Sequence, residues 1–310
     1  MTGIVLVTGA NGYVGRAVVE RLAADGRSVR AALRRPGCAM PQGVSQVAMA
    51  DLGNPQAWPA LLTDIDCIVH CAARAHVLKE DSANPLELFR HVNTQATLDM
   101  ARAAAGAGVR RFVFISSIGV NGGQTKGRAF RHDDATNPHS DYAIAKQEAE
   151  DGLPIISQET GLEVVVVRPP LVLGPDAKGN LGLLAKFVRK GLPLPLGSVT
   201  HNRRDLVSLD TLASLVSTCV DHPAAAGETF LVSDGAPLST RQIVERIGIF
   251  VGRKPCFLPM PEAVLGLGLK IIGRGGLASQ LLGDLEVDIG HTRTALGWAP
   301  PTAHSGKDRM

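Results

Sequence analysis

Tyr142 and Lys146 stand four residues apart in the run YAIAK, which places both on one face of a helix, one turn apart. A cationic ammonium beside a phenol favours the phenolate, drawing the phenol pKa down from about 10 toward working pH. Such a phenol can give or take a proton where a hydroxyl and a carbonyl interconvert. The same spacing also occurs on helices with no chemistry, so its surroundings matter. Tyr142 is one of only two tyrosines in the chain, and it lies one element beyond the apolar run FVFISS. That run ends in Ser116 and Ser117. Crevices of open parallel sheets form outside the carboxyl ends of the strands, so a serine there can hold the reacting oxygen near the phenol. Local turn capping is the alternative use of those hydroxyls.

A second signal is IVLVTGANGYVG (Ile4–Gly15), running into AVVERLAADG. Four apolar β-formers end at Thr8, glycines follow at Gly9, Gly12 and Gly15, and an amphipathic helix begins near Tyr13. A turn between strand and helix that must approach a diphosphate closely needs residues without Cβ atoms. The diphosphate then rests against the free N–H groups of the helix N-terminus. In this strand–turn–helix context the spacing predicts dinucleotide binding.

Strands and helices must alternate to position these groups. Val29–Leu33 reads as strand two, Val44–Ala50 as strand three ending in Asp51, and Cys67–Ala72 as strand four. A long helix is expected from Pro85 to Ala107, then strand five at Arg111–Ser117, the Tyr142–Thr160 helix and strand six at Glu163–Pro169. Pro154 should bend or stop the Tyr142 helix. Continuous runs such as FVFIS and EVVVVR fit strands buried on both faces of a parallel sheet. The expected fold is therefore α/β, a doubly wound parallel (Rossmann) sheet with a smaller α/β substrate lobe. Residues 1–170 form the dinucleotide-binding domain, its sheet completed by about 204–235. Residues 171–203 and 236–310 form the lobe. Beyond residue 204 a strand is expected at Asp205–Ser208, a helix at Asp210–Asp221, a strand at Thr229–Val232 and a helix at Ser239–Val251.

The chain has 310 residues, 45% hydrophobic and 20% charged, with a net charge of +3. Scattered basic residues give no argument for nucleic acid, and the apolar segment Ala263–Ile272, which carries Lys270, is far short of the ~20 residues of a membrane span. No stretch reads as a signal peptide. Five cysteines without a C-x-x-C pair read as reduced core thiols of a cytoplasmic protein, and no metal site is expected. No G-x-S-x-G elbow supports a hydrolase.

Together these residues resemble the extended short-chain dehydrogenase/reductase family of nucleotide-sugar epimerases, dehydratases and reductases, over about residues 3–300. TGANGYVG is similar to that family's cofactor loop, and Tyr142 with Lys146 to its YxxxK pair. The resemblance implies a catalytic set of Ser117, Tyr142 and Lys146. It implies that the cofactor lies on Gly9, Asn11, Gly12, Tyr13, Val14 and Gly15, and on Asp51 and Leu52, which match the pair contacting adenine. Cys71, Ala72 and Ala73 match the segment beneath the cofactor, Asn93 the family's Asn-containing helix, and Pro169 the strand-six signature RPPLVLGP. Asn180 and Arg204, the latter in RDLVSLD, resemble the segments that hold the substrate diphosphate. A homodimer through Pro85–Ala107 and Tyr142–Thr160 is implied in the same way.

Departures narrow the reading. Dehydratases of the family carry Asp-Glu after the catalytic Ser/Thr; here Ile118 and Gly119 follow Ser117, so dehydration is not expected. The acidic residue that binds the ribose of NAD is replaced by the Leu33-Arg34-Arg35 stretch, and arginine there suits a 2′-phosphate, so the cofactor is NAD or NADP. Two anchors of galactose-type 4-epimerases are missing: Ala75 stands for a lysine, and Leu281-Leu282 precede Gly283-Asp284 without the arginine. Finer details are similar to bacterial enzymes of surface-polysaccharide (O-antigen) assembly acting at C4 of UDP-N-acetyl-6-deoxyhexosamines. The expectation is an NAD(P)-dependent reductase or dehydrogenase at C4 of a UDP-sugar. A UDP-hexose or UDP-N-acetylhexosamine 4-epimerase with tightly bound NAD is the first alternative, and a non-catalytic dinucleotide sensor the second.

Overall fold

The computed structural model describes residues 3–49, 52, 58–75, 84–271 and 273–301. β1 (Ile4–Thr8) passes through the glycine turn into α1 (Tyr13–Ala24), followed by β2 (Val29–Leu33) and β3 (Ser45–Ala48). α2 (Trp58–Leu62) and β4 (Ile65–His70) come next, then α3 (Pro85–Phe89), a π-helical turn at Arg90–Gln95, and α4 (Ala96–Gly106). β5 (Arg111–Ile115) leads through a 3-10 turn at Ile118–Val120 to α5 (Asp141–Thr160) and β6 (Glu163–Arg168). After β7 (Leu171–Leu173), α6 (Gly179–Lys190), β8 (Leu206–Ser208) and α7 (Leu209–Asp221), β9 (Thr229–Leu231) returns to the sheet. α8 (Thr240–Val251), α9 (Glu262–Ile271), α10 (Gly275–Leu282) and α11 (Gly290–Leu296) follow.

The main sheet has the order β3-β2-β1-β4-β5-β6-β9, and its pairings are parallel throughout. This is the doubly wound Rossmann arrangement that the alternation of elements predicts. Strand order reverses between β1 and β4, which opens a crevice beyond their carboxyl ends. The central strands β1, β4, β5 and β6 are mostly apolar because successive side chains enter opposite cores, whereas the edge strand β3 is largely exposed. Val113, Ile115, Val165 and Val167 pack with α1 and α7 on one face. Phe112, Phe114, Val164 and Val166 pack with α4 and α5 on the other. A third core, around Leu181, Val188, Leu194, Ile243 and Leu265, lies among α6, α8 and α9.

Several elements differ from expectation. β3 is shorter, and Asp51 lies outside the described residues. The sheet is completed by β9 alone, while β8 pairs in parallel with β7 in a separate two-stranded sheet. The expected Pro85–Ala107 helix is divided by the π turn. Pro154 does not end α5, which runs unbroken to Thr160. Its ring is exposed, while Leu153 and Ile156 on either side are buried in the second core and hold both halves of the helix in line.

α5 is tied to the sheet by a buried ion pair. Arg168, the last residue of β6, donates to both Glu150 carboxylate oxygens, and its Nη1 donates to Asn121 Oδ1 at 3.0 Å. Both charged side chains are 7% exposed. Removing one partner leaves the other charge buried and unpaired. Glu150→Ala should therefore lose about 3–5 kcal/mol of unfolding free energy in urea titration, and an unchanged midpoint would refute the tie.

Candidate active site

The glycine turn is closed by a hydrogen bond from Gly12 N–H to the Gly9 carbonyl at 2.8 Å. Gly9 has φ +64°, and a Cβ there would lie 2.9 Å from the Ala72 backbone. A Cβ at Gly15 would collide with the Gly9 carbonyl oxygen. No side chain caps the N-terminus of α1, and its first turn holds no acidic residue. The result is a cradle of free N–H groups suited to a diphosphate. Asn11 is exposed beside it, and Val14 is half-buried against the first core. The Tyr13 hydroxyl is buried without a partner, and burial, with Asp176 adding to it, pushes its pKa up to about 12. The buried Ser116 hydroxyl is likewise unpartnered. A cradle that only glycine permits, with buried hydroxyls at Tyr13 and at the end of β5 left without partners, fits a dinucleotide.

Beneath the cradle, the segment after β4 is held by a relay of hydrogen bonds. Ala72 N–H donates to Thr8 Oγ1, which contacts His70 Nδ1 at 3.0 Å. His70 Nε2 lies 3.2 Å from Thr97 Oγ1, and Thr97 donates to the Asn93 carbonyl. That direction makes His70 Nε2 the protonated nitrogen. Burial drives the His70 pKa down to about 3, so the ring stays neutral. Asn93 Oδ1 accepts from Arg74 N–H at 2.8 Å, and its Nδ2 donates to the Arg74 carbonyl at 3.0 Å. The resemblance implies that Asn93 binds cofactor; in the structure its two polar atoms brace the loop, and its second amide N–H is left over. The π turn presents it there. Thr8 opens the TGANGYVG motif, but its part in this relay, like that of Thr97, escapes a reading of the sequence. Burial pushes the Cys71 thiol up to about 12, Ala72 is half-buried and Ala73 is exposed.

Ser117 follows β5 with extended backbone, and its Oγ accepts from Gly119 N–H at 3.0 Å. With one lone pair so used, its O–H remains free to donate. The turn is pinned by Ile118 N–H to the Pro169 carbonyl at 2.9 Å, so Pro169 acts here through its backbone. A Cβ at Gly119 would lie 3.3 Å from Ala143 Cβ, which places the turn against α5 one residue past Tyr142. Ser140 caps α5, accepting from Ala143 N–H.

Lys146 is 1% exposed; its ammonium donates to the Ile115 carbonyl at 2.8 Å and lies 4.3 Å from the Phe114 ring centroid and 6.0 Å from that of Tyr142. Burial lowers its pKa from 10.5 to about 8, partly opposed by Cys71 and Glu150. Burial also raises the Tyr142 pKa to about 12, against the depression expected from the YxxxK spacing. Desolvation wins because the ammonium is directed at the Ile115 carbonyl. Tyr142 is thus a protonated phenol at neutral pH, edge-on to Phe89 at 6.2 Å between centroids.

Arg34 and Arg35 are exposed just beyond β2, and Leu52 is buried in the second core. Asn180 and Arg204 converge on α10: Asn180 Nδ2 donates to Gln280 Oε1, and Arg204 Nη1 donates to the Gly283 carbonyl at 2.7 Å. No hydrogen bond among the described residues joins either to Ser117, Tyr142 or Lys146. Arg204 is 3% exposed, its Nε is unpartnered, and burial lowers its pKa to about 10. Residues 284–288 are clasped between two other segments. Thr125 N–H donates to the Asp284 carbonyl and Phe130 N–H to that of Glu286, while Asp205 N–H donates to the Leu285 carbonyl.

The NAD dependent epimerase/dehydratase family matches residues 5–233. The chain belongs to this family. A "UDP-glucose 4-epimerase" of Vibrio cholerae is 40% identical over 298 residues, covering 96% of this chain and 90% of that protein. The UDP-glucose 4-epimerase of Thermus thermophilus, solved in complex with NAD, is 25% identical with a TM-score of 0.74, covering 96% of this chain and 94% of that one. The Thermotoga maritima UDP-glucose 4-epimerase, solved with UDP-glucose, shares the fold at 20% identity, with a TM-score of 0.76 over 96% of this chain and 93% of that one.

The low Lys146 pKa has a measurable consequence. The unfolded chain binds the lysine proton up to about pH 10.5 and the folded chain only to about 8. The folded state therefore gains stability from this group as pH rises through that window, and the gain is lost as pH falls. Buried thiols oppose the trend, so the comparison is between wild type and Lys146→Met. Their difference in urea-derived stability should change by up to about 3 kcal/mol between pH 8 and 10.5, and a constant difference would contradict the burial.

Proposed function

We propose that the protein is a UDP-sugar 4-epimerase that uses Ser117, Tyr142 and Lys146 at the sugar C4 hydroxyl. The 40% identity to a UDP-glucose 4-epimerase across 96% of the chain carries this reading. The glycine cradle and the residues after β4 would hold NAD, which when bound accepts the C4 hydrogen as hydride and returns it to the opposite face. Tyr142 must first release its own proton to solvent; the resulting phenolate takes the C4 hydroxyl proton during oxidation and gives it back on reduction. Ser117 donates its free O–H to the same oxygen and keeps it in line with the phenol. Lys146 supplies positive charge when Tyr142 carries the proton deficit, which lowers the cost of the phenolate. Asn180 and Arg204 would face the UDP diphosphate, a role that requires Arg204 to turn from the Gly283 carbonyl. Gly119 leaves no carboxylate beside Ser117, which fits a reaction without loss of water.

The exposed Arg34 and Arg35, with Ala75 and Leu281-Leu282 in place of two epimerase anchors, favour a second reading, reduction of a 4-keto UDP-sugar by exchangeable NADH or NADPH. An epimerase must keep its cofactor between half-reactions, whereas a reductase must release it at each turnover. Mass spectrometry of nucleotide freed from denatured protein separates them: near-stoichiometric NAD is expected, and an empty protein that binds added NADPH would favour the reductase.

Tyr142→Phe should lower kcat for UDP-glucose/UDP-galactose interconversion by roughly 10²-fold or more. Near-normal turnover by that variant would sink the assignment of Tyr142.

A further inference from the structure

The surface around the third core differs from the rest of the molecule. The basic residues, which read as scattered along the whole chain, are dense here: residues 178–200 and 246–274 carry nine lysines and arginines against a single carboxylate, Glu262. None of the nine forms an ion pair with another described residue, and the flanking Glu245 is held by Arg241. Nine of the twelve large apolar side chains exposed among the described residues lie in the same two segments.

Much of this surface is contiguous. Arg253, past the end of α8, donates from Nη1 to the Arg189 carbonyl near the end of α6 at 2.8 Å. Leu194 exchanges backbone bonds with Cys256 and Leu258. The joined helix ends display Phe187, Leu192, Ile249 and Phe250, the third of these 69% exposed, among Arg189, Lys190 and Lys254. α9 follows in the chain, anchored by Leu265, with Val264, Leu267 and Ile271 forming an outward stripe at helical spacing and Lys270 and Arg274 at its end.

We propose that this face rests on the surface of an anionic phospholipid bilayer. Exposed aliphatic and aromatic side chains enter the headgroup boundary while the cations meet lipid phosphates. A second copy of the chain docking by two-fold symmetry would set the cationic face against itself. A nucleic acid would neutralise the cations and leave the Ile, Leu and Val side chains in water. The contact is peripheral, since no helix among the described residues is long and apolar enough to cross a membrane. α9 also walls a cleft of about 450 Å³ with α10 and Gln124.

The test is sedimentation of the full chain with vesicles of phosphatidylcholine, alone or mixed with phosphatidylglycerol. Binding to the mixed vesicles is expected, weakening as salt is raised, with little binding to phosphatidylcholine alone. Lys190→Glu with Lys254→Glu should lower binding at least about 25-fold, at about five-fold per cation. Ile249→Ser with Phe250→Ser should lower it at every salt concentration. Both pairs lie outside the candidate active site and should keep wild-type circular dichroism and turnover. Absence of binding, equal binding to both vesicle types, or full binding by both folded variants would overturn the proposal. So would a soluble dimer that the Ile249/Phe250 variant dissociates, which would assign the face to a second copy.

Discussion

The Lys146 ammonium lies out of water where β5 meets α5, donating to the Ile115 carbonyl at 2.8 Å above the Phe114 ring. A charge in that position is costly unless it is held by partners, and the surrounding structure supplies them. The carbonyl that receives it is the last of β5, so the lysine fixes α5 against the strand end from which Ser117 follows. Glu150, one turn further along α5, faces Lys146 electrostatically while its carboxylate binds Arg168 of β6. Arg168 in turn holds Asn121 beyond the Ser117 turn. One helix is thus locked to two strands and a turn through buried charge. That locking is what gives Tyr142 a fixed place, and its cost appears in the lowered Lys146 and raised Tyr142 pKa values.

What the sequence revealed depended on how local each cause was. Gly9 and Gly15 were legible because a Cβ at either meets backbone that is itself dictated by the strand–turn–helix path. Tyr142 and Lys146 were legible as a pair because a spacing of four on a helix needs nothing else to bring them to one face. The sense of the Tyr142 shift was not, because it depends on desolvation and on a carbonyl 31 residues away in the chain that draws the ammonium. The parallel sheet could be inferred from apolar runs, yet the partner of β8 could not: three residues fit either sheet, and only the path of β7 decides.

Asn93 shows the same limit from another side. The resemblance placed it among the cofactor contacts but gave no sign that, in a π turn, both amide atoms bond the Arg74 backbone. Hydrophobic periodicity carries no mark of one extra residue in a helical turn, so the loop brace and its link through Thr97 and His70 to Thr8 became visible only in three dimensions. Pro154 erred oppositely. Its local preference is real, but buried neighbours on both sides outweigh one missing helical bond.

Five main-chain hydrogen bonds set residues 284–288 between 125–130 and 203–205, beside four that use side chains. Main-chain bonds are indifferent to side-chain identity, prolines apart. The frame joining the Ser117 turn to the Arg204 segment can therefore persist while the side chains projecting from it are exchanged. Point substitutions on such a scaffold can reshape what lines it without rebuilding the main-chain frame each time.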